Sequence, residues 1–396
     1  MAKPPTTGHD PPMATGLRIR VNPRLLRWAR ERAGLELEAL AHRFPRLADW
    51  ESEAARPTLK QLERFAQATR TPVGYFFLAE PPVERVPIPD LRTIGSQRVE
   101  HPSPDLLETI YLCQQRQEWY RDYLRSQRED GLSFVSSVAI SARVEDVAAA
   151  IRAQLKFDIE ERRQITTWTE ALRRFIGQAD AAGVLVMVNG VVGNNNHRKL
   201  DPGEFRGFAL SDELAPLVFI NGADTKAAQM FTLAHELAHI WLGQSALSNV
   251  SPVTVSTDEV ELWCNRVAAE TLTPLAVFQQ EYRRGEDLRG AMDRLARQFK
   301  VSTLVILRRI HDAGGLTRDQ FWTAYEAELA RLRSIASESG GGDFYLTQAA
   351  RVGKRFARAL IISTLEGQTL HRDAFHLLGF SKLATFHELG HSLGVI

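Results

Sequence analysis

Apolar residues recur along this chain at two spacings, and the changes between them mark out its elements. Spacings of three and four predict helices, whereas short apolar runs bounded by turn residues predict buried strands. Asn22-Pro23 starts a helix with Leu25, Leu26, Trp28 and Ala29, and Gly34 ends it. Leu37, Leu40, Ala41 and Phe44 make a second helix, Leu47 and Trp50 follow, and Leu59, Leu62, Phe65 and Ala66 define another after Pro57-Thr58. Pro81-Pro82 and Pro87 to Thr93 predict an extended connector. Residues 106–124 read as a helix with Leu107, Ile110 and Tyr111 as its apolar positions, packing two domains together or forming a dimer seam.

Helices over 144–155 and 167–182 precede a buried strand at 184–188. Residues 205–210 and 216–220 predict an antiparallel pair, and Asn221-Gly222 a turn. Asp224 then caps a helix whose stripe is Leu233, Leu237 and Ile240. A further helix runs from a cap at Thr257 or Asp258 to a stop at Pro274. Ser339 to Gly342 predict a flexible break, and Phe344 to Ile396 a helical tail whose Arg351, Arg355 and Arg358 form a solvated stripe. The fold class is α+β: an all-α N-terminal domain, an α+β domain with a small mixed sheet, and a helical C-terminal region. The expected boundaries are a disordered tail at 1–16, a helical domain at 17–82, connector and helix at 83–140, the α+β domain with a helical subdomain at 141–335, and the helical region at 343–396.

Inside the helix after Asp224 stands His235-Glu236-Leu237-Ala238-His239. Positions i and i+4 share a helix face, so two imidazoles there can grip one zinc ion, and the intervening Glu236 can take a proton from water. Such a site needs a third protein ligand. Leu242 and Ser245 occupy the positions where the metzincin form would carry its Gly and third His. A Glu from the next helix is the other solution, and Glu261, Glu259 and Glu270 are all available. His197, in a loop at 193–198, is a candidate for substrate contact. A second His-Glu-x-x-His, His387 to His391, ends five residues before the last one, with Phe386, Leu389 and Leu393 as a simple apolar stripe. It is read as non-catalytic.

The run Glu261-Leu-Trp-Cys-Asn-Arg-Val-Ala-Ala-Glu-Thr-Leu-Thr-Pro274 resembles the second motif of the ImmA/IrrE metallopeptidases, as do the segments 194–209 and 221–236 around their own motifs. The resemblance spans about 144–311. It implies a zincin-like peptidase with Zn²⁺ held by His235, His239 and Glu261, and Glu236 as catalytic base. It also implies cleavage of a helix-turn-helix repressor or similar regulator. Similar fused proteins are associated with toxin–antitoxin pairs, which adds a cognate toxin to the implied partners. The alternative is a non-proteolytic DNA-binding regulator or antitoxin that uses the peptidase fold as a protein-binding scaffold.

The N-terminal helices resemble a lambda-repressor-like (XRE-type) helix-turn-helix domain through Leu40-Ala41, Trp50-Glu51 and Pro57-Thr58-Leu59. Leu40 and Trp50 are only ten positions apart, where such domains keep roughly fourteen across the recognition helix. Residues 17–82 hold twelve Lys/Arg and eight Asp/Glu. Arg24, Arg27, Arg43 and Arg46 are the candidates for a phosphate-binding face, so two roles stay open: DNA binding, or protein binding and homodimerisation. Residues 295–309 make another helix-turn-helix-like run, in which Arg297, Lys300, Arg308 and Arg309 are read as supporting a core.

Composition narrows the setting. With 44% hydrophobic residues the chain can fill sizeable cores. Lys+Arg 49 against Asp+Glu 48 leaves a net charge of +1, so any nucleic-acid contact must come from a local patch. Two cysteines cannot build a disulfide framework, which points to the cytoplasm. No run of 18 apolar residues predicts a membrane span, and the first sixteen residues lack the apolar centre of a signal peptide.

Overall fold

The computed structural model describes residues 17–91, 93–94, 97–98, 102–248, 258–335 and 349–396. The expected tail at 1–16, the break at 339–342 and Thr257 lie outside these. The chain divides into two units: residues 1–85 with 101–104, and residues 86–100 with 105–396.

In the first unit, α1 (Pro23–Arg32), α2 (Leu37–Ala41), α3 (Leu47–Glu51) and α4 (Leu59–Thr69) are followed by a 3₁₀ turn, Val73–Phe77. Asn22 caps α1 by accepting from Arg24 N, and Thr58 with Gln61 makes a capping box on α4. Leu25, Leu26, Phe44, Trp50, Phe65 and Phe76 form the core. Glu51 accepts Arg30 Nε at 2.9 Å, so the Trp-Glu pair contributes one core ring and one half-buried ion pair.

The second unit begins with a two-residue hairpin, β1 (Thr93–Ile94) and β2 (Gln97–Arg98), and a long helix α5 (Pro104–Ser126). Then come α6 (Val144–Leu155), α7 (Ile159–Arg163), α8 (Trp168–Ala182), β3 (Leu185–Asn189), β4 (Val191–Val192), β5 (Asn195–Lys199), β6 (Gly207–Leu210) and β7 (Leu217–Asn221). Helix α9 (Lys226–Leu242), β8 (Ala246–Ser248) and α10 (Glu259–Leu272) carry the metal-site motifs. Beyond them lie α11 (Leu275–Glu281), α12 (Leu288–Phe299), α13 (Thr303–Asp312), α14 (Arg318–Ile335), α15 (Lys354–Leu365), α16 (His371–Leu378) and α17 (Leu383–Ser392).

The sheet has the order β3-β7-β6-β8. β3 pairs with β7 in parallel, and β7–β6 and β6–β8 are antiparallel. Successive side chains on a strand face opposite ways. Val186, Ala209, Val218 and Ile220 therefore enter a core with α6, α8, α9, α10, α12 and α13. Leu185, Met187, Phe208, Leu217 and Phe219 enter a second core with α5 and α15 to α17. Both faces of the sheet are covered, which is why its strands read as continuous apolar runs rather than clean alternation.

Several expectations change here. The C-terminal helices are one of the sheet's two covering layers rather than a tail. Arg351 and Arg355 are half-buried rather than solvated: Arg351 donates to Asn196 Oδ1 (3.0 Å), and Arg355 to Tyr120 Oη (2.8 Å) and the Asp180 carbonyl (3.0 Å), whereas Arg358 is exposed as expected and donates to the Leu393 carbonyl (2.6 Å). In α5 the inward positions are Leu106, Ile110, Cys113 and Tyr120, while Tyr111 is 49% exposed. That stripe buries α5 within its own unit. Residues 195–199, expected as loop, form a strand of the β4–β5 hairpin.

Candidate metal centre

Helix α9 starts at Thr225, whose hydroxyl accepts from Ala228 N. The expected cap, Asp224, instead accepts from Thr225 N at 2.8 Å and faces Arg206 at 3.5 Å. The short Asp side chain is drawn to the cation and to its own neighbour's amide, which leaves the next hydroxyl to cap. Helix α10 starts as expected at Asp258, which accepts from Val260 N and Glu261 N. That cap fixes the first turn, and with it the position of Glu261.

The two helices bring His235, His239 and Glu261 together, one ligand atom of each within 4.8 Å of the others. His239 Nε2 lies 3.0 Å from His235 Nε2 and 3.1 Å from Glu261 Oε1. His235 Nε2 lies 3.5 Å from Glu261 Oε2. Among the described residues no other His, Cys, Asp and Glu group has this geometry. Glu259 is exposed. Glu270 pairs with Arg309 at 2.7 Å and accepts from Leu275 N, a link between α10 and α13. His197 is exposed on β5 and stands outside the cluster, as do His387 and His391 on α17, where His391 Nδ1 meets the Ile396 carbonyl at 3.0 Å.

Second-layer contacts set the donor atoms. Asn265 Oδ1 accepts from His235 Nδ1 at 3.1 Å, so the proton sits on Nδ1 and the Nε2 lone pair faces inward. Ser248 Oγ donates to Glu261 Oε1 at 3.3 Å. His239 Nδ1 has no hydrogen-bond partner. Burial pushes the Glu261 carboxyl up, but the neighbouring His235 and His239 outweigh it and hold it below the usual range. Burial pushes the His239 imidazole down. An inward lone pair, a second imidazole nitrogen and an ionised carboxylate converge, which is a borderline-soft N,N,O donor set that fits a divalent cation.

Glu236 completes the centre. It is fully buried, and neither carboxylate oxygen has a hydrogen-bond partner. Burial, and then the negative charge of Glu261, push its carboxyl well above the usual range, against the nearby Ser248 hydroxyl. An orphaned buried carboxylate is costly unless a water, a substrate group or a cation answers it. Gly207 on β6 sits against it: a Cβ there would meet Thr232 Cγ2 at 2.5 Å, Phe219 O at 2.9 Å and Glu236 Oε1 at 3.2 Å. The strand approaches the motif helix closely because this position has no side chain.

Sequence reasoning missed Asn265, Ser248 and Gly207. Asn265 follows Glu261 by four positions on one helix face, a spacing that could have revealed it. Ser248 carries no local signal. Zinc peptidases commonly hold a peptide along a sheet edge beside the metal, and neither 205–210 nor 216–220 offers such an edge. Those strands are β6 and β7, both interior to the sheet. The edge beside Glu261 is β8, and the connector already lies along it: Leu247 N donates to the Pro89 carbonyl (2.9 Å) and Leu91 N donates to the Leu247 carbonyl (3.1 Å).

With this geometry in view, comparison with known proteins is informative. Residues 179–311 match the IrrE N-terminal-like domain, a peptidase family. That stretch contains the sheet, both motif helices and all four residues of the centre. Residues 352–392 match a domain of unknown function, which here is the layer of α15 to α17. Searches of curated proteins and of solved structures gave no match. No helix among the described residues is long and apolar enough to cross a membrane.

Proposed function

We propose that the protein is a zinc-dependent endopeptidase whose substrate is a repressor-type regulatory protein. The observation that carries this reading is the convergence of three ligand atoms beside a buried carboxylate with no protein partner. His235, His239 and Glu261 would hold the ion. When bound, zinc supplies a Lewis acid that polarises a carbonyl and makes water more acidic. Beside that charge the Glu236 carboxyl would be ionised and able to accept a proton. Glu236 then takes a proton from the attacking water and returns it to the leaving amide nitrogen. Asn265 fixes the His235 tautomer throughout.

The first unit is proposed to recognise a regulatory protein rather than bases. Helix α3 has five residues, about 7.5 Å of helix. Of the four candidate arginines, Arg46 pairs with Asp49 at 3.0 Å and Arg27 lies 3.7 Å from Glu51, which weakens a phosphate-binding face.

A scaffold without proteolysis is favoured by one observation, the burial of all four side chains at 0–4% exposure. Metal analysis and variants separate the two readings. The enzyme reading expects one zinc per chain, lost in His235→Ala and in Glu261→Gln. It expects Glu236→Gln to keep the metal and lose peptide cleavage by at least about 10²-fold. A Glu236→Gln protein with zinc and full regulatory output would establish the scaffold.

A further inference from the structure

Away from the metal centre, helices α5, α8 and α15 and the end of the chain enclose a hollow of about 500 Å³. We propose that this hollow binds a small phosphate-bearing ligand with a flat apolar body. Its size is within the roughly 300–1,000 Å³ of small-molecule sites.

The charge is unusual. Every ionisable residue of α15 is cationic, and all three, Lys354, Arg355 and Arg358, line the hollow. Among the described residues no carboxylate forms an ion pair with any of them; Lys354 and Arg358 are exposed, and half-buried Arg355 differs in this from most other half-buried arginines of its unit. Lys354 and Arg358 are one turn apart on one face, where like charges repel. The nearby Asp180 carboxyl offsets part of that repulsion, and a dianion would offset more.

The two guanidinium groups are held by neutral acceptors. Arg355 Nε donates to Tyr120 Oη and its Nη1 to the Asp180 carbonyl, and Arg358 Nη2 donates to the Leu393 carbonyl. A purely structural role explains these three bonds. It leaves most N–H groups of both forks without a protein partner, since each guanidinium carries five. Groups fixed in place with spare donors and full charge are preorganised for a phosphate. Beside them stand the rings of Tyr120 and Tyr123, with centroids 6.2 Å apart, and Tyr123 is backed by stacking on Trp119 at 5.5 Å. Half-buried Tyr123 offers a flat ligand body an aromatic surface, with the buried Tyr120 behind it. The one acid lining the hollow, Asp180, is only partly ionised at neutral pH, because burial raises its carboxyl to about 7.

The test is calorimetric titration of the full chain at low ionic strength with adenosine monophosphate, and separately with inorganic phosphate. Saturable binding of the nucleotide is expected, with phosphate weaker but competing. The double variant Lys354→Gln/Arg358→Gln should weaken both by at least about tenfold. Both side chains are exposed, so an unchanged circular dichroism spectrum is expected. Arg173→Gln, which removes an exposed charge from the same unit, should bind like the wild type. Absence of saturable binding of either probe up to about 10 mM, or equal affinity in the double variant, would overturn the proposal.

Discussion

At the residue scale, Asn265 shows how much of the centre depends on a side chain that never touches the ion. It accepts from His235 Nδ1, so its loss frees the imidazole to change tautomer. Asn265→Ala should lower zinc affinity by about 10–100-fold, read by competition with a chelator; an unchanged constant would remove it from the site. Asp180 makes a different case. Its carboxyl is raised to about 7, by burial first, with the Val186 amide, Arg355 and Lys354 opposing. Below about pH 4 both folded and unfolded chains hold this proton, so it has no effect. Between about 4 and 7 only the folded chain holds it, and stability falls as pH rises; above 7 the loss is complete. Asp180→Asn removes that dependence. Its stability relative to wild type should therefore increase between pH 4 and 8, by up to about 4 kcal/mol, in urea denaturation. A constant difference across that range would contradict the assignment.

At the element scale, what the sequence revealed and what it hid follow from how far each signal reaches. The cap at Asn22, and Asp258 as one of two candidates, were legible because a cap acts within four residues. His235, Glu236 and His239 were legible for the same reason, since one helix turn sets their geometry. Strand β8 was not: Ala246-Leu247-Ser248 is three residues with no β-branched side chain, and becomes a strand only by pairing with β6. Arg355 was misread because its acceptors, Tyr120 and Asp180, lie far away in sequence. The connector on β8 belongs to this class too, and it yields a prediction. Leu91→Pro deletes the donor to the Leu247 carbonyl, a bond worth about 1 kcal/mol. Amide exchange at 246–248 should accelerate by about fivefold in mass spectrometry. Under the enzyme reading, cleavage of an extended peptide should rise because the edge is freed. Unchanged exchange would mean that the connector holds nothing in place.

For the molecule as a whole, the extent of the family match and the extent of the fold differ. The peptidase match ends at residue 311, which by itself suggests that everything later is dispensable. The core says otherwise. Leu185, Met187, Leu217 and Phe219 face away from the metal centre, and they are buried with Val352, Phe356, Leu360, Ile361 and Phe386 of the last helices. Gly353 comes so close to β3 that a Cβ there would sit 3.0 Å from the Val186 carbonyl, at a φ of +80°. A chain ending at residue 348 would expose one face of the central sheet. Each large apolar side chain so uncovered forfeits roughly 1.5–3 kcal/mol, which over several residues exceeds the 5–15 kcal/mol that typically stabilises a domain. The expected result is an aggregating or dye-binding product without stoichiometric zinc. The first unit has its own core, so a chain starting at residue 86 should instead stay folded and bind metal like the full protein. A soluble, zinc-loaded chain ending at 348 would show that the second core is an accessory layer rather than half of the fold.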